Sequence, residues 1–455
     1  MTTAQQSAAI EAEAGLTLRL ASWLAGFTTH ALTPTAIAWS KCVLMDWFAV
    51  TIAAAEEPLV RILKEEYAQS TGACTLVAGN SKAALENAVL INASASHALD
   101  YDDYNRHMNG HPSVPIVPVA LGLAERKGRS GLDVLASIVA GTELECLIGE
   151  MVGTGHYEAG YHNTATIGTF GAMGAAAFLL GLNASQVCHA LGIAASQLAG
   201  LKANYGTMTK PLHAGRAAAS GLMAALLAKR GFTANERILE CPQGAAAVLF
   251  PGFRGGHTGP HPSSCFAIEQ TIFKYHAACH LTHAAIDAVG QIRAANKLSL
   301  EALQSMELLV HPSLISTCCI ETPKTGMEVK FSITHCAVMA FAGMDTASPQ
   351  TFSDEHALDT ELVRAREKVR LRFSENIDRM SARVSIETLD GGVFQASSDV
   401  GVPEPNFALQ TQKLRQKFDA LVSPVIGETR ARILARHIRS LHEASSISSM
   451  LETAC

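Results

Sequence analysis

The sequence predicts a mainly α protein: a discontinuous, all-helical bundle domain built from residues 1–265 and 400–455, with a smaller α+β domain, 266–399, inserted into it. Three observations predict this. Apolar residues recur at helical spacing through most of the first 265 positions. Alternating segments and a hairpin signal appear only between about 300 and 400. Amphipathic helix then returns beyond Pro403 and Pro405. A chain of 455 residues also exceeds one comfortable core, so two or three domains are expected.

The elements follow in order. After Pro34, a good helix start, residues 36–54 carry Ile37, Leu44, Phe48 and Ile52 at helical spacing. The pattern continues over 82–97, 131–151, 167–182 and 215–229. Ala and Gly crowd the contact positions, as in 171–177, and small residues let helices pack closely. Residues 306–310 and 368–373 read as strands, and 328–343 as a helix between them. Residues 381–388 alternate, Leu389-Asp390-Gly391-Gly392 makes a turn, and 393–397 completes the hairpin. Helix resumes from about 410 to 442.

Composition limits the function classes. Hydrophobic residues make up 48% and charged residues 17%, mean hydropathy is +0.17, net charge is −6 and pI is near 6.3. This acidic balance argues against nucleic acid as a partner. The first residues lack a basic and then apolar signal sequence, and eleven scattered cysteines without a CxxC pair fit reduced thiols; a cytoplasmic enzyme is expected. Residues 159–201 contain no Asp, Glu, Lys or Arg, but Asn163, Asn183, Gln186, His189 and glycines interrupt them, so two buried helices are expected and no membrane span.

That uncharged run ends at Lys202, and Lys210, His213 and Arg216 then follow at spacing of three in Gly-Thr-Met-Thr-Lys-Pro-Leu-His-Ala-Gly-Arg. The spacing lines them along one helical side, and Pro211 suits a first helical position, which makes Lys210 the cap. A cation at a helix N-terminus in apolar surroundings calls for an anion, a carboxylate or a phosphate. A second cluster, from His97 to Ser113, holds Asp100, Asp102, Asp103, Tyr104, Arg106, His107 and His111. Imidazoles beside carboxylates suit proton transfer near neutral pH, while a polar helix end satisfying backbone donors is the plainer reading. His162, read alone, is a capping or core histidine. His276, His280 and His283 have spacing that permits a metal pair, but no carboxylate partner accompanies them, and no metal is expected. Lys330 reads as a further cation or an exposed helix residue. Walker A, GxGxxG and GxSxG sequences are absent, and Lys210 lacks the companions of a pyridoxal site, so no cofactor is expected. What remains is acid–base chemistry next to a carboxylate, with fixed cations stabilising an enediolate.

Five blocks resemble the MmgE/PrpD family: His-Ala-Leu-Asp-Tyr-Asp-Asp with Gly-His-Pro-Ser, residues 160–172, the Lys210 block with 231–234, 279–288, and Glu-x-Lys-Phe-Ser at 328–332. The resemblance implies a helical domain with an inserted α+β lid and a homodimer. It also implies cofactor-independent reactions on di- or tricarboxylates: 2-methylcitrate dehydration, cis-aconitate decarboxylation or iminodisuccinate epimerisation. It places active-site roles on Asp100, His111, His162, Lys210 and His283; Tyr104, Lys274 and Lys330 are expected to bind substrate. Lys210 would stabilise the carboxylate or enediolate, and His111 and His162 would be the acid–base pair. Asp100 would orient an imidazole or act as base, and His283 would serve from the far wall. One departure stands out: the tyrosine that decarboxylases carry upstream of the Glu-x-Lys block is missing here, where residues 316–319 read Ser-Thr-Cys-Cys. On that ground dehydration is preferred over decarboxylation. An epimerase, a catalytically idle polycarboxylate-binding protein and a metal hydrolase are the alternatives.

Overall fold

The computed structural model describes residues 15–68, 72–77, 79, 81–254 and 265–455. The segment read for a targeting signal lies outside them. The protein is mainly α, with thirteen helices of ten or more residues among the described residues. They are α1 (Leu16–Gly26), α2 (Pro34–Ala53), α3 (Pro58–Tyr67), α4 (Leu85–Ser96), α5 (Ser113–Lys127), α6 (Gly131–Val152), α7 (Asn163–Leu180), α8 (Ala184–Ala195), α9 (Thr209–Lys229), α10 (His280–Asn296), α11 (Ile333–Ala342), α12 (Phe407–Ile426) and α13 (Glu428–Arg439).

Helix α7 is the hub, packed on α5, α6, α8 and α9. Two helices, Pro34–Ala53 and Asn163–Leu180, are long and apolar enough to cross a membrane by length and composition, yet both lie largely inside the protein. A helix apolar on every side belongs in a core or a bilayer, and here neighbouring helices cover it. Small residues make the close packing possible. A Cβ on Gly221 of α9 would lie 2.6 Å from the backbone of Thr169 and Met173 in α7. Any side chain there would push the two helices apart.

Strands β1 (Cys74–Leu76) and β2 (Ser81–Ala83) form a small hairpin, and β3 (Tyr104–Asn105) pairs with β4 (Thr271–Ile272). The main sheet has the order β6-β5-β7-β8, from β5 (Leu303–Val310), β6 (Val369–Phe373), β7 (Ser381–Thr388) and β8 (Val393–Asp399). Only β5 and β6 run parallel. Ala382, Val384, Ile386 and Thr388 alternate inward along β7, which packs with β8 against α10. Beyond the sheet, α12 returns to pack on α2.

Several sequence expectations need correction. Lys82 lies in β2 and not in a helix, because the helix begins only after Ala84. The helix expected over 328–343 breaks at Lys330–Ser332, so Lys330 points inward and is 4% exposed. The helix expected from 410 to 442 is two helices separated at Gly427, whose φ of 82° favours glycine. Lys210 is not a cap: α9 begins at Thr209, which puts Lys210 in its first turn. Lys210 and His213 are buried but Arg216 is exposed, since each three-residue step drifts about 60° around a helix of 3.6 residues per turn.

Candidate active site

The site is assembled around the turn that ends α4. Helix α4 stops at Ser96, and the chain turns through Asp100, whose φ of 51° is left-handed. Asp is one of the few residues with a side chain that adopt this region readily. Three ammonium groups from distant parts of the chain grip successive carbonyls of the turn. Lys330 donates to Leu99 at 2.7 Å, Lys274 to Asp100 at 2.6 Å, and Lys417 to Tyr101 at 2.7 Å. The negative end of the α4 dipole favours cations at this place. Lys417 also pairs with buried Asp46 at 2.6 Å.

The Asp100 carboxylate sits between two more contacts. Its Oδ1 accepts from Lys210 at 2.5 Å and from Lys274 at 3.1 Å, while Oδ2 is buried without a hydrogen-bond partner. Burial would push this carboxyl up, but the Lys210 and Lys274 ammonium groups outweigh it and hold it far below the usual carboxylate range. Lys210 stands 5.3 Å from the Tyr205 ring centre and 5.0 Å from that of Phe331, so aromatic faces flank the cation.

His111 faces Asp100 with Nε2 4.0 Å from Oδ1. Its Nδ1 lies 2.9 Å from Asp102 and 2.7 Å from the Asp103 carbonyl, so both acceptors fix its orientation. The Asp102 carboxylate also meets His97 Nδ1 at 3.0 Å. Burial dominates at His97 and pushes it down to about 4, although Asp102 pulls the other way. Asp102 is held low by the two imidazoles against the effect of burial. Asp102 is ionised and His97 neutral at pH 7, and His111, 12% exposed at its side chain, is the ring of the two that lines the cavity.

His162 caps α7 and donates its backbone N–H to the Gly200 carbonyl. Its Nδ1 is 3.1 Å from His213 Nδ1, and its ring stacks on His97 at 5.7 Å. Burial first, then Lys210, keeps it well below the ordinary histidine range, so it is neutral at pH 7.

Asp100, His111, His162, Lys210 and Tyr104 thus line one narrow cavity of about 40 Å³. That space suits ordered water. Lys274 and Lys330 do not line it; they act on the turn that carries Asp100. His283 is placed elsewhere. It stacks on His280 at 4.9 Å and lines a neighbouring cavity of about 870 Å³. His280 lines both cavities and stands between them. The larger cavity has titratable groups of its own, among them His276, Asp287 and Glu404, but Asp100, His111 and Lys210 do not line it. The possible metal pair does not converge either: His276 meets Thr346 and Asp287, His280 meets the Val400 carbonyl, and His283 the Ala278 carbonyl.

His97, Asp100, Asp102 and His111 lie close enough to surround a cation, with one ligand atom of each within 4.8 Å of the others. Two ammonium groups already occupy Asp100, and their charge opposes a metal ion there. The cluster is better suited to moving protons. Sequence reasoning missed four cavity residues: Asn109, Tyr157, Tyr205 and Arg379. Tyr205 stands five residues before Lys210 and was within reach of that motif; Tyr157 and Arg379 carried no local signal.

Such a constellation defines an acid–base centre beside a fixed positive charge, suited to an anionic substrate. The chain belongs to the MmgE/PrpD family: the MmgE/PrpD N-terminal domain matches residues 18–256 and the MmgE/PrpD C-terminal domain residues 276–443. Among curated proteins it is similar to cis-aconitate decarboxylase of Aspergillus terreus, 25% identical over 98% of this chain and 97% of that protein. It is also similar to cis-aconitate decarboxylase of Homo sapiens, 26% identical over 79% of this chain and 77% of that protein.

Proposed function

We propose that this protein is a cofactor-independent lyase acting on a citrate- or aconitate-like polycarboxylate, and that decarboxylation of cis-aconitate is its leading reaction. The observation that carries the reading is the buried Lys210–Asp100 pair facing His111. In this reaction a proton is delivered to one alkene carbon. The electron pair of the bond to the departing carboxylate becomes the new double bond, and carbon dioxide leaves. Protonated His111, steadied by Asp102, delivers the proton from Nε2. Lys210 holds the carboxylate attached to the alkene and stabilises charge that builds up on it. Asp100 fixes the Lys210 ammonium in place, and neutral His162, in the lining of the same cavity, donates or accepts. The similarity to named decarboxylases supports this choice over the dehydration favoured by sequence.

Dehydration of a 2-methylcitrate-type substrate is the second reading, favoured by Thr317 in the cavity wall where decarboxylases were expected to place a tyrosine. The epimerase reading predicts exchange of a carbon-bound proton with no loss of water or carbon dioxide. The proposal extends to residues 266–399 as a lid over the helical domain, to a homodimer and to a cytoplasmic location. Incubation with cis-aconitate, citrate, 2-methylcitrate and iminodisuccinate in D2O, followed by NMR, tests it. Carbon dioxide loss from cis-aconitate is expected. Bare exchange, or no reaction with any of the four, would overturn the lyase.

A further inference from the structure

The cavity has a second polar end that the proposed chemistry does not use. Arg379 and Asn109 line it together with Tyr104 and Tyr157. Asn109 Oδ1 accepts from the Tyr104 hydroxyl at 2.8 Å and from Arg379 Nη1 at 2.9 Å. Two donors on one oxygen settle which way the amide faces. The Asn109 Nδ2 and the Arg379 Nε are then left buried with no hydrogen-bond acceptor among the described residues. The backbone of Asn109 is left-handed, with φ of 49°, a conformation that Asn adopts more readily than most residues.

Among the described residues, no carboxylate acts on Arg379 to balance its charge. Burial works against its charge; Tyr104, Tyr157 and Cys279 favour it, Tyr157 also as a hydrogen-bond partner, and its guanidinium lies 4.9 Å from the Tyr157 ring centre. Asp378, next in the chain, is engaged by Arg106 at 2.9 Å. Orphaned buried donors are rare in folded proteins and need an explanation. Here two residues that each carry one, joined through Arg379 Nη1 and Asn109 Oδ1, sit in the same cavity as Lys210. A carboxylate has the charge, the two oxygens and the acceptor-only character that this end requires.

We propose that Arg379 and Asn109 bind a second carboxylate of the substrate, one that does not react, and so select polycarboxylates over monocarboxylates. This rests on the polycarboxylate reading above but not on which reaction follows. Glutarate and butyrate differ by one carboxylate and undergo none of the proposed reactions. Ligand-detected NMR titration of the full chain should show a preference for glutarate of tenfold or more, equivalent to about 1.4 kcal/mol. Arg379→Gln and Asn109→Asp should both erase the preference, and Arg379→Lys should restore part of it. Melting curves confirm that each variant is folded.

A preference that survives in Arg379→Gln, equal weakening of both ligands, or no preference in the wild type would each overturn the assignment. If none of the four substrates reacts while glutarate still depends on Arg379, the lyase reading falls and this carboxylate site stands.

Discussion

Asp100→Asn is the most informative perturbation, because it removes one negative charge and little volume. Asn also tolerates the left-handed backbone at this position, so strain is not added. In the wild type, Asp100 Oδ1 lies 2.5 Å from Lys210 and 3.1 Å from Lys274, and all three side chains are 6% exposed or less. The variant leaves two neighbouring buried ammonium groups without the carboxylate they share, with Asp102 as the remaining carboxylate favouring Lys274. Removing one partner of a buried ion pair costs about 3–5 kcal/mol. Unfolding entropy for 455 residues is on the order of 1 kcal/mol per degree, so Tm should fall by about 3–5 °C. Calorimetric melts at pH 7 read this directly, and NMR turnover of cis-aconitate on the same samples should show a loss of about a hundredfold or more, as when a positioned electrostatic group is removed. Because the Asp100 carboxyl is held below its unfolded value, the stability difference is fully present above about pH 4 and shrinks only as pH drops further. A variant within about a degree of wild type that turns over normally would refute the claim that Asp100 holds Lys210 in place.

Three other outcomes are expected. Lys210→Ala should lose about 3 kcal/mol of transition-state stabilisation, seen as a fall in kcat/KM of roughly two orders of magnitude; near-normal turnover would remove Lys210 from the reaction. His97 is pushed down to about 4 by burial, so between pH 6.5 and 4 the unfolded chain binds a proton that the folded one refuses, and stability drops as pH falls. The drop attributable to His97 is about 3 kcal/mol, so urea titrations of His97→Gln should show a shallower acid loss than wild type, and parallel profiles would count against a neutral buried His97. Gly221→Ala should cost about 1–3 kcal/mol by forcing α9 away from α7, whereas helix propensity alone predicts a gain of up to about 1 kcal/mol; a stabilised variant would show that the contact yields easily.

By itself, the sequence determined the helical character, the strands of the main sheet and the chemical type of the site. Local periodicity carries such information: β7 spans residues 381–388 as its alternation required, and the Lys210 and Asp100–His111 blocks announced cations, carboxylates and imidazoles at legible spacings. Helix ends were less legible. Phase drift along α9 turned Arg216 outward, and a break before α11 turned Lys330 inward, because packing decides where a helical pattern stops.

Only the tertiary structure decided which groups meet. Lys274, Lys330 and Lys417 are separated from the Asp100 turn by more than 170 residues of chain, yet their ammonium groups hold three consecutive carbonyls of it. His283 shares a motif with His280 and borders the same larger cavity, but only His280 of the two also reaches the smaller one, since three residues along a helix are enough to change the space a side chain borders. Arg379 gave no signal because its meaning comes from an orphaned nitrogen beside Asn109, 270 positions away in sequence. Spacing reports neighbours along one element, while charge balance in a buried site is settled between elements.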